Sequence, residues 1–229
     1  MDRIAENLNR VKDTLQDGVQ LVAVSKYHPI EELQQAYDAG QRVFGESHVQ
    51  EVTAKEAVLP KDIQWHFIGH LQTNKVKYLA PFVTLIHSAD SPKLFKEINK
   101  QAEKCGRTIN CLLQLHIAQE ETKFGFTMEE AEEYLMSEEL QSLKNVQIVG
   151  VMAMATNTDD EEQIAAEFES VRNFFTRMKQ SVFADNPNFR EISMGMSGDY
   201  LIAQQHGSTM VRVGSMIFGE RDYSKPFTI

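Results

Sequence analysis

Lys26 lies at a position where its amine could act as a nucleophile. It follows the apolar run LVAVS at positions 21–25, and such a run is typical of a strand that is buried on both faces. A low-dielectric wall beside the side chain would lower the pKa of its ammonium and leave a nucleophilic amine. This favours a lysine that forms a Schiff base with a carbonyl compound. A lysine at a strand end that extends its ammonium into water is the alternative, and position alone leaves both open.

Two turns of small residues come at the ends of the seventh and eighth strand candidates and could hold a phosphate. Their glycine and serine residues are Gly195, Ser197, Gly198, Gly214, Ser215 and Gly219. Glycine lets backbone N–H groups approach phosphate oxygens, serine adds hydroxyl donors, and Arg212 adds a charge. The alternative is that these glycines only make tight turns. A carbonyl-reactive lysine together with a phosphate anchor is the combination that pyridoxal phosphate needs.

Other polar residues near the ends of apolar runs have structural interpretations. We expect Glu46 to be a rim carboxylate bonded to turn amides. His66 and His70 are four residues apart, but a strand between them spoils the geometry of a metal pair, so we expect structural or rim histidines. Cys105 and Cys111 form no CxxC pair. The sequence therefore predicts no metal site.

Composition limits the classes of partner. The 229 residues carry a formal net charge of −10, and the pI is about 5.2, so the surface as a whole repels nucleic acid and anionic lipid. An anionic ligand then requires a local pocket of amides and basic side chains. The N-terminal segment has no apolar targeting region, and no apolar run reaches the length of a membrane span. We predict a cytoplasmic protein.

The elements that must position these residues alternate regularly. Eight apolar runs, each separated from the next by a helical pattern, are strand candidates: 21–25, 42–46, 65–69, 83–88, 110–117, 145–154, 190–196 and 210–219. Alternating strands and helices predict a parallel sheet, and eight units favour an α/β fold with a single closed (β/α)8 TIM barrel. An open doubly wound sheet is the alternative, and periodicity does not exclude it. No linker divides the chain, so residues 1–229 are predicted to be one domain.

Several segments together resemble one family. LVAVSKYHP begins at position 21, WHFIGHLQTNK spans 65–75, MGMSGDY spans 194–200, and GSTMVRVGSMIFGER spans 207–221. They resemble the pyridoxal phosphate homeostasis protein family, the YggS/PROSC group, which is related to the N-terminal barrel of alanine racemase. The resemblance covers essentially the whole chain.

The resemblance implies how a cofactor is held. The implied cofactor-binding positions are Lys26, Ser47, Met152, Ser197, Arg212, Gly214 and Ser215. Lys26 would form the Schiff base, and Ser197, Gly214 and Ser215 would hold the phosphate. Arg212 would lie against the phosphate or the pyridine nitrogen, and Met152 would pack near the ring. Ser47 departs from the family, which usually has FGEN where this chain has FGES, so a hydroxyl replaces an amide.

The resemblance also implies a function. The expected protein holds pyridoxal 5′-phosphate, maintains vitamin B6 and amino- and keto-acid balance without strong catalytic activity, and supplies apo-forms of pyridoxal phosphate enzymes. Alanine racemase has its second acid/base tyrosine in a C-terminal domain for which this chain has no room. A slow racemase using Tyr27, Tyr200 or a histidine is one alternative, and a cofactor-free Schiff-base aldolase is the other. A monomer is expected because no long exposed apolar stripe is visible.

Overall fold

Eight parallel strands close into a barrel in the computed structural model, which describes residues 3–119 and 124–220. The strands are β1 (Gln20–Val24), β2 (Val43–Glu46), β3 (Gln64–Phe67), β4 (Leu85–Ala89), β5 (Ile109–Gln114), β6 (Val146–Met152), β7 (Glu191–Met196) and β8 (Met210–Val213). Each strand pairs with the next along the chain, and β8 pairs with β1 through the register Val22 to Arg212. The predicted (β/α)8 barrel is confirmed, and the open sheet is excluded.

Helices connect the strands and cover the outside of the barrel. In the described residues they are α1 (Arg3–Lys12), α2 (Ile30–Asp38), α3 (Val49–Val58), α4 (Val76–Leu79), α5 (Pro92–Lys104), α6 (Met128–Leu135), α7 (Glu138–Gln141), α8 (Glu161–Gln180), α9 (Tyr200–Gln205) and α10 (Ser215–Phe218), with a short 3-10 turn at Thr73–Lys75. None of these helices is long and apolar enough to span a membrane.

Six of the eight strands, β1, β2, β4, β5, β6 and β8, divide their apolar side chains between two cores. In β1, Leu21 and Ala23 belong to the core between the barrel and the helices, whereas Val22 belongs to a smaller core inside the barrel. Successive side chains of a strand point to opposite faces. Because both faces are buried, the strands appear in the sequence as continuous apolar runs.

The eighth apolar run proved to be two elements. β8 ends at Val213, and α10 begins at Ser215 after a turn at Gly214. Ile217 and Phe218 of α10 are buried, and their carbonyls accept hydrogen bonds from Asn7 and Arg3 of α1. The strand thus ends next to the turn at Gly214 and Ser215 that the sequence predicted, and the remaining apolar residues of the run 210–219 lie on the buried side of a short helix. The first helix thus fixes the element that follows the last strand.

Candidate functional site

A cavity of about 520 Å³ opens at the carboxyl ends of the strands. Its lining includes six of the seven predicted cofactor-binding residues: Lys26, Ser47, Ser197, Arg212, Gly214 and Ser215. The other lining residues are Val24, Ile68, Met154, Met196, Gly198 and Glu220. Active sites of such barrels lie at this end of the strands. The fold thus brings residues from both ends of the chain to one place.

The alternation of β1 directs Lys26 into the cavity. Val22 lies inside the barrel and Val24 lines the cavity, so the next residue of the same parity is Lys26. Ser25 has the opposite parity, is fully buried, and donates a hydrogen bond from its hydroxyl to Oε1 of Glu46 at 2.6 Å. Of these two residues, Lys26 therefore faces the cavity and Ser25 faces the surrounding helices.

The two glycine-serine turns meet at the carboxyl ends of β7 and β8, and β8 is the strand next to β1. Ser197 follows β7 and Gly214 follows β8, and the N–H of Gly214 lies 3.4 Å from Oγ of Ser197. The turn after β7 is fixed by Asp199, whose Oδ1 accepts a hydrogen bond from the N–H of Met196 at 2.6 Å. Ser215 begins α10, and the first N–H groups of a helix have no acceptor within the helix. Hydroxyl and amide donors therefore converge where a phosphate was predicted.

Arg212 supplies a buried positive charge next to these turns. Its Nη1 donates to the carbonyl and to Oγ of Ser193 at 2.9 and 2.5 Å, and its Nη2 donates to the carbonyl of Ala153 at 3.0 Å. Burial lowers the pKa of Arg212 to about 10, so the guanidinium stays charged at neutral pH. These acceptors carry no formal charge, so they orient the guanidinium without neutralising it.

Two histidines continue this contact across the inside of the barrel. Oγ of Ser193 lies 2.8 Å from Nδ1 of His87, and Nε2 of His87 lies 2.9 Å from Nδ1 of His66. Arg212 can only donate, so Oγ of Ser193 accepts from it and can give its one proton to Nδ1 of His87; in that tautomer Nε2 of His87 donates to His66. Burial lowers the pKa of His66 to about 3 and that of His87 well below its ordinary value. Both rings are therefore neutral at pH 7.

His70 and Glu46 occupy different environments from each other. His70 is at the rim, where Nδ1 lies 3.1 Å from Oδ2 of Asp90 and the ring stacks on Phe124. Glu46 is fully buried on the helix side of β2 and contacts Nζ of Lys55 at 2.7 Å. Burial raises the pKa of Glu46 to about 7. The expectation of a rim carboxylate was therefore wrong, because Glu46 shares its parity with the outward-facing Phe44.

Met152 is the one predicted site residue that the structure does not bring to the cavity. It is 1% exposed and packs inside the barrel with Val22 and Met210. Met152 pairs with Ser193 of β7, and Ser193 lies three residues before Met196, which lines the cavity. Met154 lines the cavity instead, because a step of two residues moves a side chain one layer along the same face.

The tyrosines considered as second acid/base groups lie elsewhere. The hydroxyl of Tyr200 is 2.8 Å from that of Thr14 and the residue is 3% exposed. The hydroxyl of Tyr27 is 3.3 Å from Nε2 of His48. Neither tyrosine is among the described residues that line the cavity.

Comparison with known proteins gives consistent results. A family model described as alanine racemase, N-terminal domain, matches residues 1–222. The pyridoxal phosphate homeostasis protein of Vibrio alginolyticus is 38% identical over 213 residues, which are 91% of this chain and 89% of that protein. PipY of Synechococcus elongatus with PLP bound is 37% identical, with a TM-score of 0.84 over 94% of this chain and 100% of that one.

A more distant solved structure shows the fold alone. Alanine racemase of Clostridium difficile is 14% identical, with a TM-score of 0.73. The aligned region covers 96% of this chain and 56% of that chain. The barrel described above therefore has the topology of the racemase barrel.

Proposed function

Because the chain belongs to the alanine racemase N-terminal domain family, and within it to the pyridoxal phosphate homeostasis proteins, we propose that it binds pyridoxal 5′-phosphate as a Schiff base on Lys26. We propose further that it maintains the supply of this cofactor, and with it the balance of amino and keto acids. The observation that carries the proposal is the single cavity shared by Lys26, Arg212 and the turns at Ser197 and Gly214.

The residues of the cavity fit the chemistry of this cofactor. Pyridoxal phosphate offers an aldehyde that condenses reversibly with primary amines and a phosphate dianion that requires several donors. Lys26 provides the amine. Ser197, Gly214 and Ser215 provide hydroxyl and amide donors in the same cavity, with the charge of Arg212 beside them.

Each residue has a separate role in this proposal. Lys26 forms the covalent bond to the cofactor, and Ser197, Gly214 and Ser215 hold its phosphate. Arg212 contributes a positive charge that persists at neutral pH. Ser47 adds a hydroxyl on the side of Lys26. The ring contact first assigned to Met152 is proposed for Met154, which lines the cavity.

A reversible covalent link also explains how the cofactor can be passed on. An amine or the lysine of an apo-enzyme can replace Lys26 by exchange at the same carbon. We propose apo-forms of pyridoxal phosphate enzymes as recipients and a monomer in the cytoplasm as the working form. Residues 1–229 would act as one binding domain, which the contacts between α1 and α10 support.

Spectroscopy with chemical trapping tests the proposal. The protein is titrated with pyridoxal phosphate, its absorption is recorded before and after borohydride, and the reduced adduct is located by peptide mass. We expect a band that disappears on reduction and an adduct on Lys26. Lys26→Ala should fold and lose both signals, while Lys144→Ala, which changes an exposed lysine, should keep them. A parent protein without a band or an adduct would overturn the proposal.

A further inference from the structure

A buried cluster of charged side chains lies between the barrel and helix α3, next to the turn that carries Lys26. Lys55 of α3 is 0% exposed, and its Nζ lies 2.7 Å from Oε1 of Glu46, 2.7 Å from Oε1 of Glu51 and 2.8 Å from the carbonyl oxygen of Ser25. An ammonium has three N–H groups. Three acceptors thus surround Lys55, two of them carboxylates.

This cluster holds the residues on both sides of Lys26. On one side, Ser25 offers its carbonyl to Lys55 and its hydroxyl to Glu46. On the other side, the backbone N–H of Tyr27 donates to Oε1 of Glu51 at 2.6 Å. The backbone that carries Lys26 is therefore fixed immediately before and after the lysine.

The backbone at this point is strained. Tyr27 has a φ of 66° and is the one non-glycine residue with a positive φ among the described residues. Residues with a Cβ avoid this region unless their surroundings stabilise it, and such strain is concentrated at functional sites. The hydrogen bond from Tyr27 to Glu51 supplies part of that stabilisation.

The chemical composition of the cluster argues against a purely structural role. Burying charged groups costs solvation energy, and apolar side chains of similar size often give equal or greater stability. Oε2 of Glu46 has no hydrogen-bond partner in the described part of the chain, and burial raises the pKa of this carboxyl to about 7. What the charges provide is fixed geometry at Ser25 and Tyr27.

We propose that Lys55, with Glu51, is a positioning residue that holds the turn of Lys26 so that the amine of Lys26 reaches the aldehyde of pyridoxal phosphate. This inference rests on the proposed function, because it concerns the amine assigned there. In the condensation a C=N bond forms between Lys26 and the aldehyde carbon, and the carbonyl oxygen leaves as water with the two protons of the neutral amine. Lys55 takes no part in this bond-making, and its contribution is the orientation of the backbone.

The test compares two ligands that differ at the reacting carbon. Pyridoxine 5′-phosphate keeps the ring and phosphate but has an alcohol in place of the aldehyde, so it reports on the anchor without the covalent bond. In Lys55→Met we expect the affinity for pyridoxal phosphate to fall at least about tenfold, since small displacements of a reacting group are costly. The affinity for pyridoxine phosphate should stay within about twofold. Equal losses for both ligands, or no loss for either, would overturn the inference.

A control variant separates positioning from loss of stability. Val171→Ala removes buried volume from α8, which connects β6 to β7 rather than following β1, and should lower the melting temperature. We expect it to leave both affinities unchanged. If Val171→Ala also weakened pyridoxal phosphate selectively, general destabilisation would explain the result and the inference would fail.

Glu51 provides a second pair of variants in case Lys55→Met does not fold. Glu51→Gln keeps an Oε1 acceptor for Tyr27, whereas Glu51→Met removes it. We expect Glu51→Gln to retain most of the preference for pyridoxal phosphate and Glu51→Met to lose it. Equal preference in the two variants would contradict the inference. Failure of the proposed function looks different, since the parent itself would then bind both ligands equally and give no adduct on Lys26.

Discussion

Ser193 accepts a hydrogen bond from Arg212 at 2.5 Å and thereby connects the cavity to the inside of the barrel. The hydroxyl can accept from the guanidinium and donate to His87 at the same time, so the three groups form one hydrogen-bonded chain. Such a chain holds the guanidinium in one orientation before any ligand arrives. A charged group that is already fixed loses less conformational entropy on binding than one that must be ordered by the ligand.

Removing the hydroxyl of Ser193 should therefore weaken ligand binding. Ser193→Ala leaves Arg212 with fewer fixed contacts, and we expect a loss of about 1 kcal/mol, or roughly fivefold in the affinity for pyridoxal phosphate. Ser208→Ala is the matched control, because Ser208 is a buried serine whose hydroxyl bonds to backbone carbonyls of β7 and β8. Titration followed by absorption measures both. Equal effects of the two substitutions would show that Ser193 acts only through packing.

The buried histidines predict how stability depends on pH. The pKa of His66 is lowered from 6.5 to about 3 in the folded protein, so between these values the unfolded chain binds a proton that the folded protein does not. Stability is then fully present above pH 6.5 and is lost as the pH falls toward 3. The slope is at most about 1.4 kcal/mol per pH unit for each such histidine.

Urea unfolding between pH 5 and 8 checks this dependence. In His66→Asn the amide occupies the position of Nδ1 and can still contact His87, but it does not titrate. We expect the variant to lose less stability than the parent when the pH falls from 7 to 5. His70→Asn is the control, because it makes the same substitution at a rim histidine that is 45% exposed, and only the effect of His66→Asn beyond that of His70→Asn is assigned to burial. A steeper acid loss in His66→Asn would contradict the assignment of a neutral buried ring.

The alternation of side chains along each strand allowed much of this site to be predicted from the sequence. Contacts between side chains of different strands across the barrel could not be predicted in this way. Lys26 was expected at the mouth because it follows a buried run. Met152 was placed wrongly relative to the cavity because strands in a barrel are staggered, and sequence alone does not give the height at which each strand ends. His87 contacts Ser193 across 106 residues of sequence, and no periodic pattern encodes such a pair. Glu46 was mistaken for a rim residue because its partner lies on the following helix.

Ser47 lies where the resemblance to the homeostasis proteins implies an asparagine, and substitution should reveal the contribution of its hydroxyl. Its backbone is held close to Gly69, where an added Cβ would lie 2.4 Å from the carbonyl oxygen of Ser47. Ser47→Ala should weaken pyridoxal phosphate by about 0.5–1 kcal/mol, the value of one ordinary hydrogen bond. Ser47→Asn introduces the amide that the resemblance implies and should bind at least as tightly as the parent. Weaker binding by Ser47→Asn than by Ser47→Ala would mean that this cavity is shaped for the smaller side chain.

Racemisation of L-alanine should be no faster with the loaded protein than with free pyridoxal phosphate. A racemase needs two opposed acid/base groups at the α-carbon. Of the described residues that line the cavity, Lys26, Arg212 and Glu220 are ionisable, and a guanidinium that stays protonated is a poor base. Glu220 is exposed, so it is accessible to water and lacks the enclosure that protects carbanionic intermediates.

A chiral assay for D-alanine, with deuterium exchange at the α-carbon, decides the point. We expect the parent, Glu220→Gln and Tyr200→Phe to give the same background rate. A parent rate well above background that Glu220→Gln removes would establish a racemase with Glu220 as its second group. A rate that Tyr200→Phe removes would instead require the Tyr200 hydroxyl to leave Thr14 and reach the cavity, which the observed contact opposes.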